Sequence, residues 1–204
     1  MVDQQEIRKY FLDCFSKFGP EPKGLNWNSI EAQEIRFEQI CKVIDFSIPF
    51  SIIDYGCGYG SLIDFLKLRK QEFSYSGYEI VEEMIIKGRE LHQDDPKCFF
   101  TNNESELVKS DYVVESGVFN VKQAISNETW TDYVISIINK MNELAVKGFA
   151  CNFLTSYSDA EFMRPDLYYA DPTFFFDHCK KNYSRNVALL HDYELYDFTI
   201  IVRK

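Results

Sequence analysis

The chain has 204 residues, of which 46% are hydrophobic, so it is long enough for one well-filled core and short for two full domains. Its net charge of -10 disfavours a broad phosphate-binding surface, and with it a nucleic-acid substrate or partner. No basic and apolar leader opens the chain and no apolar run reaches membrane-spanning length, so we expect a cytoplasmic protein that is neither secreted nor inserted into a membrane.

The six cysteines carry neither a disulfide nor a metal signature. No CxxC pair occurs, and no histidine pattern of the kind that holds zinc lies nearby. We therefore predict reduced thiols and no metal site. The cysteines stand at positions 14, 41, 57, 98, 151 and 179.

Two amphipathic helices are predicted ahead of the first strand. Residues 4–18 place apolar side chains on one stripe, and the proline and glycine content of residues 19–28 indicates a loop. A second helix begins with Asn28 or Ser29 as its cap. Its predicted buried face consists of Ile35, Phe37, Ile40, Cys41 and Ile44.

The segment SIIDYGCGYGS at 51–61 is the most informative stretch of the chain. Its apolar start predicts a buried strand, and Gly56, Gly58 and Gly60 allow the backbone to turn sharply and to approach a ligand closely. The run SLIDFLKLRK that follows has apolar residues at helical spacing, so the loop opens a helix whose amides face the ligand. Strand, glycine turn and helix together begin a Rossmann-like unit.

Glu79 closes the second predicted strand, at 73–80, and stands about 23 residues after Gly56. An acid at this spacing meets ribose hydroxyls in Rossmann-type units, because a carboxylate can accept both hydroxyl protons. A helix at 81–92 and a short strand at 98–100 follow. The spacing therefore predicts a cofactor that contains a nucleoside.

The second half of the chain continues the alternation of strand and helix. A strand is predicted at 111–115, a helix at 128–146 and a fifth strand near 148–154. A long insertion at about 155–172 comes next, and two short apolar strands around residues 191–194 predict a hairpin. Because long loops in compact domains are usually functional, we expect the insertion to wall a substrate pocket.

The pattern acid-x-Gly-x-Gly-x-Gly from Asp54 to Gly60 resembles motif I of the class I S-adenosylmethionine-dependent methyltransferases, and Glu79-Ile80 resembles their motif II. The segments WNSIEAQEIRFEQI, DYGCGYGSL, ESGVFNVK and RPDLYYADP are similar to a bacterial branch of small members of this family. The resemblance covers roughly residues 30–204.

It implies an α/β, Rossmann-like fold with helices on both faces of a seven-stranded, mostly parallel sheet. The antiparallel last strand is expected beside the fifth. The whole chain would form one methyltransferase domain, with a helical cap or lid at 1–48 and the core at 49–204.

The resemblance also implies how S-adenosylmethionine binds and S-adenosylhomocysteine is left as product. The methionine end is expected against the glycine loop, the ribose on Glu79, and the adenine amino group on Asn102 or Asn103. The helix before the sheet is expected to cover the cofactor. The implied cofactor-binding residues are Asp54, Gly56, Cys57, Gly58, Gly60, Glu79, Ile80, Asn102, Asn103, Ser116, Gly117, Gln33 and Arg36.

The methyl acceptor is expected to be a small molecule that is methylated on oxygen or nitrogen. Acceptor residues should follow the fourth and fifth strands, because open α/β sheets bind ligands at the carboxyl ends of their strands. Glu115 can bind an amino group or act as a base, and Arg164 can hold a carboxylate or phosphate. The candidate catalytic residues are Glu115, Tyr168 and Tyr169, and the candidate substrate-binding residues are Phe119, Arg164 and Asp171.

Two other functions remain open from the sequence. An NAD-dependent oxidoreductase would use a similar loop, although Ser61 breaks its GxGxxG pattern and the terminal hairpin has no place in its sheet. A regulatory protein that binds S-adenosylmethionine without catalysis would have the same loop. A monomer and a homodimer both fit the sequence.

Overall fold

The computed structural model describes Val2 and residues 4–204. Its helices and strands follow the predicted order along the chain. Their bounds are α1 Gln4–Phe18, α2 Ile30–Ile40, β1 Phe50–Tyr55, α3 Ser61–Lys67, β2 Phe73–Tyr78, α4 Glu82–Leu91, β3 Cys98–Thr101, β4 Ser110–Glu115, α5 Asn127–Leu144, β5 Ala145–Thr155, β6 Tyr169–Ala170, α6 Pro172–Asn182, β7 Asn186–Leu190 and β8 Asp197–Arg203. Short 3-10 turns occupy Pro22–Leu25, Cys41–Val43, Glu104–Glu106 and Ala160–Phe162.

The strands form one mixed sheet in the order β3-β2-β1-β4-β5-β8-β7. Strands β1 to β5 run parallel to their neighbours, whereas β8 is antiparallel to both β5 and β7. The two-residue β6 pairs with the end of β5 and lies off the main path. The predicted mostly parallel sheet with an antiparallel last strand beside the fifth is confirmed, with β6 as an additional short strand.

The central strands are buried on both faces, because helices cover each side of the sheet. Alternate residues of one strand therefore enter two different cores: Val113 packs with the α5 side and Val114 with the α2, α3 and α4 side. This arrangement brings the carboxyl ends of β1, β2, β4 and β5 to one edge of the sheet, where ligands bind in open α/β folds.

The buried face of α2 differs from the predicted apolar stripe. The helix starts where expected, since the Ser29 side chain caps it by accepting the Ala32 amide at 3.1 Å. It ends at Ile40, however, and its buried residues include polar Gln33 and Arg36. These side chains are buried because they meet polar partners on the glycine loop and on β8, as described below.

Two boundaries also differ in the second half of the chain. Strand β5 is longer than predicted, because Ala145 pairs with β4 at one end and Thr155 pairs with β6 at the other. The insertion contains β6 and gives way to α6 at Pro172. No helix in the described part of the chain combines the length and apolar character needed to cross a bilayer.

Candidate functional site

The loop between β1 and α3 adopts a backbone that requires glycine. Gly56, Gly58 and Gly60 have φ values of +85°, +56° and +87°, in the left-handed region that strains other residues. The Gly56 amide donates to the carbonyl oxygen of Tyr78 at 2.7 Å, which fastens the turn to the end of β2. A Cβ on Gly56 would lie 2.0 Å from Cγ2 of Val118. The tight turn therefore depends on glycine for both conformation and space.

Glu79 connects this loop to the start of α4. Its Oε2 accepts from the Gly58 amide at 3.1 Å, and its Oε1 accepts from the Val81 amide at 3.0 Å. The side chain is 9% exposed, and burial raises the pKa of its carboxyl group above the ordinary value. Because two backbone donors hold it, the carboxylate is already oriented at the end of β2.

The chain leaves β4 through Glu115, Ser116 and Gly117. Oε1 of Glu115 accepts from the Val118 amide at 2.6 Å, but Oε2 of Glu115 and Oγ of Ser116 are buried without a partner among the described residues. Burial raises the pKa of Glu115 well above its ordinary value. Gly117 has φ +100°, and a Cβ there would lie 2.6 Å from the Trp27 ring. Buried polar atoms without partners mark a place where a ligand can supply them.

The ends of β1, β2 and β4 enclose a cavity of about 80 Å³, called here the smaller cavity. Five predicted cofactor-binding residues meet in its wall. They are Gly56, Glu79, Ile80, Ser116 and Gly117. The structure thus brings together residues that are up to 61 positions apart in the sequence, from Gly56 to Gly117.

Helix α1 and the loop after it close the smaller cavity. Ile7 and Phe11 of α1 contribute to its wall, together with Leu25 and Trp27. Sites for small ligands usually enclose about 300–1,000 Å³, so the cavity in this conformation is too small for a nucleoside. A ligand of that size requires α1 or the following loop to move outward.

A second cavity, of about 840 Å³ and called here the larger cavity, lies at the ends of β5 and β8. Trp27 belongs to the walls of both cavities, so they adjoin at its indole ring. The residues that line the larger cavity are Asn26, Trp27, Asn28, Arg36, Asn120, Leu154, Ser158, Phe162, Arg164, Leu167, Tyr169, Tyr193, Glu194, Leu195, Tyr196 and Asp197.

A buried ion pair supports the wall between the cavities. Nη2 of Arg36 lies 2.5 Å from Oδ2 of Asp197, and Nε of Arg36 donates to Oδ1 at 3.2 Å. Asn152 donates to the same carboxylate at 3.3 Å. The Arg36 guanidinium also lies 4.5 Å from the centre of the Trp27 ring. The pair therefore lies beside Trp27, whose ring also lies close to Gly117.

Asp54 and Cys57 lie behind the glycine loop and outside the wall of the smaller cavity. Oδ2 of Asp54 accepts from the Tyr75 hydroxyl at 2.8 Å. Burial raises the pKa of Asp54 to about 7 and that of the Cys57 thiol well above its ordinary value. The Cys57 thiol is therefore protonated at neutral pH. Both side chains pack in the core beneath the loop and support its conformation.

Replacing Asp54 by asparagine should remove part of the pH dependence of stability. With a folded pKa of about 7 and an unfolded value of about 3.9, protonated Asp54 stabilises the fold fully below about pH 4, and this contribution is lost as the pH rises through about 7. Asparagine still offers an oxygen to the Tyr75 hydroxyl. We expect wild type to lose more free energy of unfolding than Asp54→Asn between about pH 5 and pH 8 in urea titrations.

The control for this comparison is Asp64→Asn, which changes an exposed acid of α3. It should follow the wild-type pH profile. If Asp54→Asn follows that profile as well, the proton on buried Asp54 is excluded as a source of the pH dependence.

Gln33 and Arg36 of α2 were both expected to cover the cofactor, but they lie in two separate parts of the structure. Gln33 donates to Oγ of Ser61 at 3.0 Å, at the start of α3, and so supports the glycine loop from outside. Arg36 lies in the wall of the larger cavity. Gly58 and Gly60 shape the loop, although their backbones do not line the smaller cavity.

Asn102 and Asn103 follow β3 and are both exposed. The Asn102 side chain donates to Glu82 on α4. Oδ1 of Asn103 accepts the Ser105 amide at 3.2 Å and caps the short 3-10 turn. Neither side chain lines the smaller cavity in this conformation, so recognition of adenine by them would require both to change partners.

Of the residues expected on the acceptor side, Arg164 and Tyr169 lie in the wall of the larger cavity. The Arg164 amide donates to the Tyr169 hydroxyl at 3.0 Å. The Arg164 guanidinium forms an ion pair with Asp166. Because Arg164 is already paired, a carboxylate or phosphate would have to compete with Asp166 for its guanidinium group.

The other four candidates line neither cavity, namely the buried Glu115 described above, Phe119, Tyr168 and Asp171. Phe119 is fully buried and stacks on Phe153, with ring centres 5.0 Å apart. Tyr168 is buried and its hydroxyl bonds to Thr131 at 2.7 Å. Asp171 caps α6 by accepting amides of the first turn. Core packing, a helix contact and helix capping account for these positions.

Sequence reasoning missed the segment 193–197, which contributes five residues to the larger cavity. The terminal hairpin was predicted around residues 191–194 and was not assigned to a pocket. A signal was present, because an antiparallel last strand beside the fifth places its start next to the end of the fifth. Leu154 and Asp197 are paired in this way. No comparable signal in the sequence indicated that α1 lines the smaller cavity.

No family model matches the chain. Among curated proteins, "Putative methyltransferase Rv1506c" of Mycobacterium tuberculosis is 42% identical over 163 residues, which are 80% of this chain and 98% of that protein. Among solved structures, magnesium protoporphyrin IX methyltransferase from Synechocystis PCC 6803 with bound S-adenosylhomocysteine matches with a TM-score of 0.67 at 16% identity, over 99% of this chain and 100% of that chain. The chain belongs to the same methyltransferase family as the Mycobacterium tuberculosis protein, and it has the fold of the S-adenosylmethionine-dependent methyltransferases.

The methyltransferase has the same fold as the N-terminal domain of EvdMO1, which was solved in the presence of S-adenosylhomocysteine and D-fucose. The TM-score is 0.59 at 16% identity, over 100% of this chain and 97% of that chain. The methyltransferase family predicted from motif I and Glu79 is thus confirmed, and S-adenosylmethionine as the cofactor agrees with the S-adenosylhomocysteine bound to a protein of the same fold. The NAD-dependent oxidoreductase and the non-catalytic regulator are set aside.

Proposed function

We propose that this methyltransferase acts on a small-molecule acceptor by O- or N-methylation, with S-adenosylmethionine in the smaller cavity and the acceptor in the larger one. The observation that supports this best is Trp27, whose ring lines both cavities. Methyl transfer requires the acceptor atom, the methyl carbon and the sulfur in one line, so the two sites must meet. Two adjoining cavities satisfy that requirement.

The residues of the smaller cavity suit this cofactor. Glu79 would exchange its bond to the Gly58 amide for the ribose hydroxyls, and the unpartnered Ser116 hydroxyl would bond to the amino acid end. Gly56 and Gly117 leave room for a close approach because neither carries a Cβ. Bound S-adenosylmethionine supplies a methyl group that is already activated, so the protein needs no nucleophile of its own.

Glu115 fits a supporting role better than that of a base. Its carboxyl group is completely buried, and burial raises its pKa well above the ordinary value, which favours the protonated form. A protonated carboxyl group donates one hydrogen bond, so Oε2 would orient its neighbour Ser116 or the cofactor. Proton removal from an acceptor hydroxyl would fall to another group or to water.

Helix α1 would act as the lid over the cofactor. Its side chains Ile7 and Phe11 occupy part of the space that a nucleoside needs. Their displacement would expose apolar surface unless they repack on the bound adenine or ribose. The helical cap expected at 1–48 would then contact the cofactor through Ile7 and Phe11.

A small-molecule acceptor agrees with the acidic chain and with the shape of the larger cavity. At about 840 Å³ it suits a compact molecule. Two proteins of the same fold are named with small molecules, one with magnesium protoporphyrin IX and the other with D-fucose. The fold can therefore present such molecules to the cofactor.

Two measurements test the proposed function. Calorimetric titration with S-adenosylhomocysteine should show one site for each chain, and radiolabelled S-adenosylmethionine should label the small-molecule fraction of a cell extract when the protein is added. Labelling of the RNA or protein fraction alone would contradict a small-molecule acceptor.

Replacing Ser116 by alanine separates a structural role from a ligand role. Because the buried hydroxyl has no partner among the residues that the structure describes, its removal should leave the free energy of unfolding unchanged or raise it by up to about 1 kcal/mol. Binding of S-adenosylhomocysteine should weaken by about 0.5–1.5 kcal/mol. Calorimetry and urea unfolding measure the two effects, with Ser136→Ala, an exposed serine of α5, as the control. Loss of stability without loss of affinity would show that Ser116 is structural.

A further inference from the structure

The larger cavity has a wall without an available positive charge. Its two cations are both paired, Arg36 with Asp197 and Arg164 with Asp166. Glu194, which is exposed, forms no ion pair in the part of the chain that the structure describes. An acceptor with a phosphate or carboxylate would meet this acid and no free guanidinium, so the wall favours an uncharged acceptor.

The wall also offers side chains that suit hydroxyl groups. Asn120 is 7% exposed, and its Oδ1 accepts the Leu154 amide at 3.2 Å, which fixes the side chain and leaves Nδ2 as a donor at the cavity. Asn26 and Asn28 lie in the same wall. Amide side chains both donate and accept, as hydroxyl groups do.

Aromatic rings complete this wall. Trp27 and Tyr193 come from opposite ends of the chain, and Tyr169 and Tyr196 come from the insertion and the hairpin. Flat apolar faces beside amide groups match a sugar ring, which presents C–H groups on its faces and hydroxyl groups around its edge. A planar aromatic acceptor would leave the edge donors such as Asn120 without partners, at a cost in free energy.

We propose that the acceptor is an uncharged sugar ring that is methylated on a hydroxyl oxygen in the larger cavity. This assignment rests on the proposed function of the two cavities. The hydroxyl oxygen attacks the methyl carbon, the bond from that carbon to the sulfonium sulfur breaks, and the sulfur leaves as neutral S-adenosylhomocysteine. The hydroxyl proton passes to water, since exposed Phe162 and Tyr196 show that the wall reaches solvent.

Binding of sugars to the intact protein, saturated with S-adenosylhomocysteine, tests this proposal without turnover. The probes are methyl glycosides of common hexoses and 6-deoxyhexoses and the matching sugar 1-phosphates, followed by saturation-transfer NMR. At least one methyl glycoside should bind at millimolar concentration and about tenfold more tightly than its 1-phosphate. Preference for the 1-phosphate, or binding of none of the glycosides, would overturn the proposal.

A variant with altered charge sharpens the test. Asp166→Asn removes the partner of Arg164, so affinity for the 1-phosphates should rise and the preference for neutral sugars should fall by about tenfold. The matched control is Asp177→Asn, which removes the exposed partner of Lys181 on α6 and should leave the preference unchanged. Equal shifts in both variants would show that the wall charges do not select the acceptor.

The sugar assignment and the proposed function fail in different ways. If the protein binds S-adenosylhomocysteine and methylates a phenol or an amine, but binds no glycoside, only the sugar assignment is wrong. If S-adenosylhomocysteine does not bind, the assignment of the smaller cavity is wrong, whatever the larger cavity holds.

Discussion

Replacing Arg36 by methionine is expected to lower the free energy of unfolding by about 3–5 kcal/mol, because it leaves Asp197 as a buried charge without an oppositely charged partner. Asp197 is completely buried and receives two donors from Arg36. Methionine keeps an apolar stem of similar length, so the loss reports mainly on the guanidinium. Trp27, which stacks on that guanidinium, should also change its fluorescence. Urea unfolding measures the stability change.

The exposed pair of Arg69 and Glu38 provides the matched control. Their charged atoms are 3.4 Å apart and accessible to solvent, so Arg69→Met should cost less than about 1 kcal/mol. The double variant Arg36→Met, Asp197→Asn removes both buried charges and should recover part of the loss. An effect of Arg36→Met no larger than that of Arg69→Met would contradict a buried ion pair.

Replacing Glu79 by alanine is expected to weaken binding of S-adenosylhomocysteine by about 1–3 kcal/mol, which is roughly ten- to a hundredfold in affinity. The reason is the loss of a charged acceptor that two backbone amides already hold in the wall of the smaller cavity. Calorimetric titration of the folded variant measures the change.

Two further variants serve as controls for Glu79→Ala. Glu79→Gln keeps the shape and one acceptor oxygen, so it should fold normally and lie between wild type and Glu79→Ala in affinity. Glu83→Gln, at an exposed position of α4, should bind as wild type does. Unchanged affinity in folded Glu79→Ala would refute the ribose assignment.

The glycine loop and Glu79 could be predicted because their geometry is encoded locally. Gly56 to Gly60 lie on five consecutive positions between a strand and a helix, and Glu79 ends the next strand. The parallel order of β1 and β2 then places Glu79 beside the loop. Periodicity and spacing carry this information along the chain, and the resemblance to a known family supplied the order of the sheet and the identity of the cofactor.

The larger cavity could not be predicted in the same way, because its contacts join distant segments. The Arg36 and Asp197 pair spans 161 positions, and the family resemblance assigned Arg36 to the cofactor instead. Phe119 was expected at the acceptor because it follows β4, yet it packs on Phe153 in the core. Periodicity identifies the face of an element that is buried, but not which distant partner covers it.

The position of β8 between β5 and β7 has a consequence for synthesis of the chain on the ribosome. Because β8 follows every other strand in the chain, β5 is made well before its partner on that side. Until β8 emerges, the nascent chain presents the edge of an eleven-residue, largely apolar strand, which is prone to pair with other chains. Protection of this edge during translation is therefore a requirement for a good yield of folded protein.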